Sequence, residues 1–409
     1  MRRAIVLSIV DQAMLSAFNL GLSLLLIARV SPSEFGAFTY VLAVLLVLSS
    51  LRNALVAVPI GVWLPGRPQA AQDEVLATLL KFDHALRIAI LPIAAGLIAV
   101  VGTDPLYLGP ALCVCFLWLW RETQRDLSFT LRMAERALLL DAISVGSSIV
   151  AILFLWRLLP PVPAVLAGIA AGHAVAIASA GHRVAQESFA TALAGYGRFW
   201  QESRWTLFGA ATTEAQFRGY VFAVQAFRGG DTLGAVQAGR ALMGPLPLLA
   251  SAWSRAARPE MTAALVENRV ADARRILLLG TAGVLFLSLL YLLVLYVAWP
   301  VIETYLFKGR YPEIGMLTIG WGLATLVGML DLCLSAYLQA ARKFRGLAFA
   351  SLAAAVVSGC ALLVLATNVP AAYAIGAVAL GELVALVWVI ALIATVRPEP
   401  AEEAREAVP

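Results

Sequence analysis

Long apolar stretches recur from one end of this chain to the other, and they constrain its fold more than any motif does. Each is roughly 18 to 28 residues long, enough for a helix to cross a hydrocarbon core about 30 Å thick. Strands of a membrane barrel would be about ten residues long and would alternate in polarity. Only 13% of the residues are charged, against about 25% in soluble domains. The sequence therefore predicts an all-α polytopic membrane protein.

Polar breaks divide the chain into about twelve predicted transmembrane helices in two lobes of six. The spans are 4–30, 36–63, 83–101, 105–131, 136–158, 163–182, 204–227, 232–254, 274–300, 314–340, 346–367 and 371–396. The second half of the fourth span is polar (RETQRDLSFTLR), and we expect it to project from the bilayer into water. The predicted domains are an N-terminal lobe over 1–182, a cytoplasmic linker over 183–203, a C-terminal lobe over 204–396 and a cytoplasmic tail over 397–409.

Lysine and arginine are concentrated on one side of these spans. With a cytoplasmic N-terminus, twenty-one of them lie on the cytoplasmic side and five on the other. Cytoplasmic loops are enriched in these residues, so both termini are predicted to be cytoplasmic. Topology and contact with anionic lipid then explain the net charge of +5, and no nucleic-acid partner is expected.

One short corner occurs twice. RVSPSEFGAF follows the first predicted helix and RGGDTLGAV follows the seventh, and their Gly36 and Gly234 are 198 residues apart, close to half the chain. Both corners join the first two helices of a six-helix set. This arrangement is expected of the parallel repeats found in transporters.

The same residues carry a family resemblance. The stretch LLLIARVSPSEFGAFTYVLAVLLVLSSL resembles the start of polysaccharide flippases of the multidrug, oligosaccharidyl-lipid and polysaccharide (MOP) exporter superfamily. Three more stretches are similar to that family's junctions before helices 8, 5 and 10: GDTLGAVQAGRALMGPLPLL, RDLSFTLRMAERALLLDAIS and LFKGRYPEIGMLTIGW. The resemblance spans the chain and implies a MATE-like fold, with two six-helix lobes around a central cavity that opens alternately to each side.

The group that this resemblance implies is the O-antigen (Wzx-type) flippases. Its members flip a lipid-linked, isoprenyl-diphosphate oligosaccharide from the inner to the outer leaflet of the bacterial cytoplasmic (inner) membrane, by alternating access, for surface polysaccharide synthesis. The implied partners are the lipid-linked glycan, membrane lipids, and a polysaccharide polymerase or export machinery.

Two other functions stay open. A cation-coupled multidrug or small-molecule exporter of the same superfamily would be distinguished by a cluster of carboxylates within one lobe. A membrane-embedded polysaccharide polymerase or ligase, which would be an enzyme, typically needs a large outer loop carrying Arg and His, and this sequence has none.

Polar residues inside the spans mark a candidate pathway, since intramembrane charges are costly and usually face a cavity or a partner. They concentrate on predicted helices 1, 2, 7, 8 and 10. The candidates for a cavity that binds diphosphate and glycan are Arg52, Arg240, Arg218, Asn53, Gln237, Gln12 and Asn19. The candidates for ion coupling are Asp11, Glu214 and Asp331. No catalytic residue, cofactor or metal site is expected.

Arg52 and Arg240 are the leading candidates because neither has a charged partner at helical spacing. The resemblance adds that lipid II flippases bind diphosphate with cavity arginines on the corresponding helices. Glu214 and Arg218 are four residues apart and could instead form a local ion pair. Asp11 lies near the inner end of its helix, where headgroups or Arg3 are alternative partners.

Overall fold

The structure is a computed structural model that describes residues 2–64, 68–100, 105–131, 133–180, 189–367 and 369–395. All regular elements of these residues are helical, which confirms the predicted all-α fold. The predicted tail over 397–409 and the start of the predicted linker lie outside this part of the chain.

Contacts between α-carbons divide the chain into two compact units, Met1–Glu214 (unit 1) and Ala215–Pro409 (unit 2). Up to the division, the helices are α1 (Arg2–Arg29), α2 (Pro32–Arg52), α3 (Val58–Trp63), α4 (Gln69–Val100), α5 (Pro105–Thr130), α6 (Ala134–Leu155), α7 (Pro161–Ala180) and the first part of α8 (Phe189–Ala241). After it come α9 (Pro245–Val266), α10 (Val270–Val297), α11 (Trp299–Ile302), α12 (Ile314–Ala340), α13 (Phe344–Leu362) and α14 (Ala372–Thr395). Asn53–Ala57 and Glu303–Phe307 are π-helical, and Leu363–Ala366 is a 3₁₀ turn.

Nine helical segments within the described residues are long and apolar enough to cross a membrane. They correspond to nine of the predicted spans. The other three, 105–131, 204–227 and 232–254, are also helical but fall in the polar α5, α8 and α9. Large apolar side chains such as Phe286 and Val297 on α10 are about two-thirds exposed, as expected for a surface that contacts lipid. The chain is a multi-pass membrane protein.

The first predicted corner is a helix N-cap. Ser31 accepts a hydrogen bond from the Glu34 backbone N–H (3.3 Å), and the Glu34 carboxylate accepts one from the Ser31 backbone N–H (2.9 Å). Pro32 occupies the first turn, where a missing N–H costs nothing. This capping box ends α1 and starts α2 within three residues.

The second predicted corner is a break inside α8. Gly229 has φ 79° and ψ 178°, a conformation that side chains with a Cβ rarely adopt. The helix changes direction here, as RGGD predicts. The eighth predicted span does not continue to 254, however, because a turn at Leu242–Gly244 separates α8 from α9, and Pro245 begins the new helix.

Two helices begin earlier or extend further than the sequence predicts. Helix α4 starts at Gln69 rather than 83, and the predicted linker is helical from Phe189 onward. Val75, Leu79 and Phe82 form one buried stripe on α4, and this stripe packs against Tyr196 and Phe199 of α8. Burial of that stripe explains why the start of α4 and the start of α8 are helical although the sequence there is more polar than in the predicted spans.

A π-helical turn interrupts α2 directly after Arg52. The Val58 N–H bonds to Asn53 O, and Pro59 has no N–H, so the carbonyl groups of Ala54 and Leu55 lose their usual partners. Helix α8 supplies replacements. The Thr206 hydroxyl donates to Ala54 O (3.0 Å), and the Tyr196 hydroxyl donates to Leu55 O (2.6 Å).

Helices α6 and α7 pack closely through two glycines that are four residues apart. Gly168 faces Ile152, and Gly172 faces Ser144 and Ser148. A methyl group at Gly172 would lie 2.6 Å from the Ser144 carbonyl oxygen, which is backbone and cannot rotate away. Small residues allow this close approach in membrane helices.

We expect Gly172→Ala to destabilise unit 1 by about 1–3 kcal/mol through overpacking. The measurement is the melting temperature of the purified protein in detergent. Gly146→Ala on α6 is the matched control, because nothing lies within 4 Å of the added methyl group. Equal melting temperatures for the two variants would contradict this packing.

Candidate functional site

Unit 1 contains nine charged side chains that contact one another in its interior. This charge network consists of Asp11, Arg52, Asp83, Arg87, Arg121, Glu122, Arg125, Asp126 and Asp141, from α1, α2, α4, α5 and α6. Several members are almost fully buried, including Arg52 (1% exposed) and Asp83 (0%). Because ions are expensive to bury, each is expected to have a partner.

Arg52 lies between two carboxylates from other helices. Its Nε is 2.9 Å from Asp83 Oδ1, and its Nη1 is 2.7 Å from Asp126 Oδ2. Asp83 Oδ2 also accepts from Thr123 (2.8 Å) and lies 3.0 Å from Arg87 Nε. The expectation that Arg52 lacks a charged partner is therefore wrong. Helical spacing identifies partners on one helix only, and these acids lie 31 and 74 residues away in sequence.

The other half of the network joins α5 to α1 and α6. Arg121 Nη1 donates to Asp141 Oδ1 (2.7 Å), and Arg125 Nη2 donates to Asp11 Oδ2 (2.7 Å). Arg125 Nε also lies 2.8 Å from Asp141 Oδ2, although outside hydrogen-bond geometry. Arg121 pairs with Glu122 as well.

The polar half of α5 is thus not a projection into water. Arg121, Thr123, Gln124 and Ser128 are each at most 3% exposed. That expectation from the sequence is wrong, because polarity alone does not distinguish a solvated segment from one that is paired inside the protein.

Asp11 and Asp141 share one cation. Arg125 Nη2 is 2.7 Å from Asp11 Oδ2 and Arg125 Nε is 2.8 Å from Asp141 Oδ2, while Asp11 Oδ1 is buried with no hydrogen-bond partner among the described residues. The network has five carboxyl groups against four guanidinium groups, and one bound proton would balance it. Asp11 is 1% exposed, so it does not face headgroups, and the side chain of its other suggested partner, Arg3, lies outside the described residues.

Unit 2 holds a different arrangement around Arg240, which we call the Arg240 site. Arg240 Nη1 donates to the Tyr220 hydroxyl (2.5 Å), which in turn donates to Gln237 Oε1 (2.8 Å). The guanidinium carbon lies 5.4 Å from the Tyr220 ring centroid and 5.3 Å from that of Trp321. Arg240 is half-buried and forms no ion pair with any described residue.

Two acids lie farther along in unit 2. Glu382 on α14 packs against Gly328 on α12 and interacts electrostatically with Asp331 and Arg240. Asp331 is half-buried, and its Oδ1 has no hydrogen-bond partner among the described residues.

The structure also places the remaining sequence candidates. Gln12 and Asn19 line a cavity of unit 1 together with Arg121, Glu122 and Arg125 of the charge network. Asn53 is exposed at the π-helical turn, and Glu214 and Arg218 are half-buried on α8. Among the described residues, no three His, Cys, Asp or Glu side chains are arranged to hold a metal ion.

Sequence reasoning missed eight charged members of these sites. They are Asp83, Arg87, Arg121, Glu122, Arg125, Asp126, Asp141 and Glu382. A signal was present, because Asp141 and Glu382 interrupt the apolar runs ALLLDAIS and ALGELVAL. Considering every intramembrane charge, and not only those on polar stripes, would have found them.

Comparison by sequence finds no relative, since no protein-family model and no curated protein matches the chain. Solved structures do match its fold. A multidrug-resistance MATE family transporter of the MOP superfamily, in an inward-facing conformation, has a TM-score of 0.72 at 12% identity over 96% of each chain. The lipid II flippase MurJ, in an inward closed conformation, has a TM-score of 0.67 at 11% identity over 98% of this chain and 89% of its own.

A third match is a MOP superfamily transporter from Pyrococcus furiosus, whose binding pocket is described as having reverse polarity. It has a TM-score of 0.60 at 14% identity, over 95% of this chain and 94% of its own. At these identities the comparisons establish the fold, and the chain has the fold of MOP superfamily transporters. The predicted fold is confirmed, whereas membership of the superfamily and the Wzx-type assignment stay predictions.

We expect Arg52→Ala to reduce the amount of folded protein, because it leaves Asp83 and Asp126 without their shared cation at a cost of about 3–5 kcal/mol. Adding Asp126→Asn should recover part of that loss, since Asp83 keeps Arg87. Membrane abundance and size-exclusion profiles of a fluorescent fusion measure the effect.

Arg157→Ala, at an exposed position, is the control and should behave as wild type. A normal amount of stable Arg52→Ala protein would show that the charge network does not depend on Arg52.

Proposed function

We propose that this protein is a transporter that flips a lipid-linked, isoprenyl-diphosphate oligosaccharide across the cytoplasmic membrane for surface polysaccharide synthesis. The observation that carries the proposal is Arg240, a half-buried guanidinium that forms no ion pair with any described residue. A cation in a membrane unit is costly unless water or an anion meets it. A diphosphate supplies that anion.

The surroundings of Arg240 support this assignment. A single hydrogen bond to Tyr220 orients the guanidinium and leaves most of its N–H groups free. Guanidinium binds phosphate oxygens in pairs, which an ammonium cannot do. The rings of Tyr220 and Trp321 hold the side chain without neutralising it. We assign Arg52 a structural role instead, since it already forms ion pairs with two carboxylates.

The proposed mechanism is alternating access. The glycan head enters from the inner leaflet and is exposed on the outer side, while the prenyl tail stays in lipid. Both chain termini are proposed to be cytoplasmic, and a polysaccharide polymerase or export machinery is the proposed consumer of the product. The fold similarity to a lipid II flippase supports a lipid-linked substrate.

We expect Arg240→Ala to abolish flipping while the protein stays in the membrane at near-normal amounts, because Arg240 forms no ion pair with any described residue. Arg240→Lys should keep partial activity, since it retains a charge but not the paired geometry. The experiment measures lipid-linked oligosaccharide in the inner leaflet and polysaccharide at the cell surface. Protein abundance is measured in the same cells, and a deletion strain is the reference.

Arg345→Ala, at an exposed position of the same unit, is the control. Full surface polysaccharide from Arg240→Ala at normal abundance would exclude the diphosphate role. Loss of Arg240→Ala protein would instead indicate that Arg240 is needed for packing.

A cation-coupled exporter is the second candidate, and the charge network favours it. A carboxylate cluster within one lobe is the feature expected of that class, and Asp11, Asp83, Glu122, Asp126 and Asp141 all lie in unit 1. Four arginines neutralise most of their charge, so the cluster suits one proton better than a cationic drug. Proton coupling at Asp11 is compatible with both candidates. Coupling roles for Glu214 and Asp331 stay predictions.

We expect Asp11→Asn to uncouple transport, because it removes one of the two carboxylates next to Arg125 and with it the excess negative charge of the network. In wild type, collapsing the proton gradient with an uncoupler should lower export. In the Asp11→Asn variant, export should already be low, and adding the uncoupler should not lower it further. Surface polysaccharide reports on a flippase, and efflux of a cationic dye reports on an exporter.

Asp231→Asn, at an exposed position, is the control, and the uncoupler should lower its export as much as it lowers that of wild type. If Asp11→Asn keeps the full response to the uncoupler, Asp11 is not the coupling residue.

A further inference from the structure

We propose that unit 1 contains a subsite for a single sugar ring of the transported glycan, separate from the Arg240 site. The inference rests on the proposed flippase function. The subsite is a cavity of about 240 Å³ lined by residues of α1, α2, α5, α6 and α7. Its polar and aromatic lining includes Gln12, Asn19, Ser49, Trp118, Arg121 and His173.

The volume limits what the cavity can hold. Drug-sized ligands usually occupy pockets of about 300–1,000 Å³. A cavity of about 240 Å³ lies just below that range, which favours a ligand of the size of one pyranose ring.

Several polar groups in the wall lack partners. His173 is 3% exposed and its Nδ1 is 2.7 Å from the Ser144 hydroxyl, but its Nε2 has no partner. Arg121, also 3% exposed, has an unpartnered Nε. The side-chain amides of Gln12, which is half-buried, and Asn19, which is exposed, form no hydrogen bond with any described residue. Buried polar groups such as those of His173 and Arg121 normally find a partner, and ligand hydroxyl groups would provide one here.

The chemistry of the wall matches a neutral sugar. Amides and a histidine can donate to and accept from hydroxyl groups. The Trp118 indole offers an aromatic surface for the apolar C–H face of a ring. Sugars present both kinds of surface at once.

Charge argues against the other ligand classes. Arg121 and Arg125 are already paired with Asp141 and Asp11, so a phosphate would have to break those ion pairs. A cationic drug would meet the same two guanidinium groups. Acids and bases nearly balance around the cavity, which favours an uncharged ligand.

The test measures binding of small probes to the full-length protein in detergent by saturation-transfer NMR. The probes are a panel of neutral and N-acetylated monosaccharides, inorganic pyrophosphate and tetraphenylphosphonium. The variants are Gln12→Ala with Asn19→Ala, and Arg240→Ala, with Ser16→Ala as a control on the same helix outside the cavity lining. Melting temperatures establish that each variant is folded.

We expect at least one monosaccharide to bind, and the double variant to weaken it by about tenfold through loss of two hydrogen-bonding amides. Arg240→Ala and Ser16→Ala should leave that binding unchanged. Pyrophosphate binding should show the opposite pattern, being lost in Arg240→Ala and kept in the double variant.

The two proposals fail separately. If no monosaccharide binds, or if the folded double variant binds it as well as wild type, the sugar subsite is excluded whatever pyrophosphate does. Competition by tetraphenylphosphonium for the sugar would also overturn it, since the cavity would then accept a cation. If pyrophosphate does not bind to wild type, the diphosphate role of Arg240 fails while the sugar result stands on its own.

Discussion

The ion pairs of Arg52 with Asp83 and Asp126 are the interaction on which unit 1 depends. They join α2, α4 and α5 in a buried part of the protein where water offers little alternative for a charge. Such pairs add little net stability compared with apolar packing, but breaking one is expensive. Their main effect is therefore on specificity: they determine which helices can be neighbours. Arg121 and Arg125 extend the same constraint to α6 and α1.

The two units use arginine in opposite ways. In the charge network of unit 1 each guanidinium group is paired with carboxylates, and the network is close to charge balance. In unit 2 Arg240 is held by a hydroxyl group and two aromatic rings, which position it but leave its charge available. A matched network suits structure and proton binding, and an available cation suits an anionic ligand. The likeness to MOP superfamily transporters establishes only the fold, so the functional proposal depends on this difference.

The sequence predicted the helices well because apolar length and turn residues are local signals. Helix α12 occupies the predicted 314–340, and the capping box at Ser31 follows from its sequence. The partners of Arg52 could not be predicted, since both come from distant parts of the chain. The same holds for the polar half of α5 and for the early start of α4, which depend on tertiary burial. Gln12 and Asn19 were identified as cavity residues, because a polar stripe on an apolar helix is a local pattern.

The π-helical turn in α2 has a consequence for engineering. The carbonyl groups of Ala54 and Leu55 depend on hydroxyl groups of Thr206 and Tyr196, which belong to the first part of α8, within and just after the predicted linker over 183–203. A chimera that exchanged this segment for one from another transporter would remove two donors from the helix that carries Arg52. Segment boundaries for such chimeras are therefore better placed after Thr206, so that α2 and its donors are transferred together.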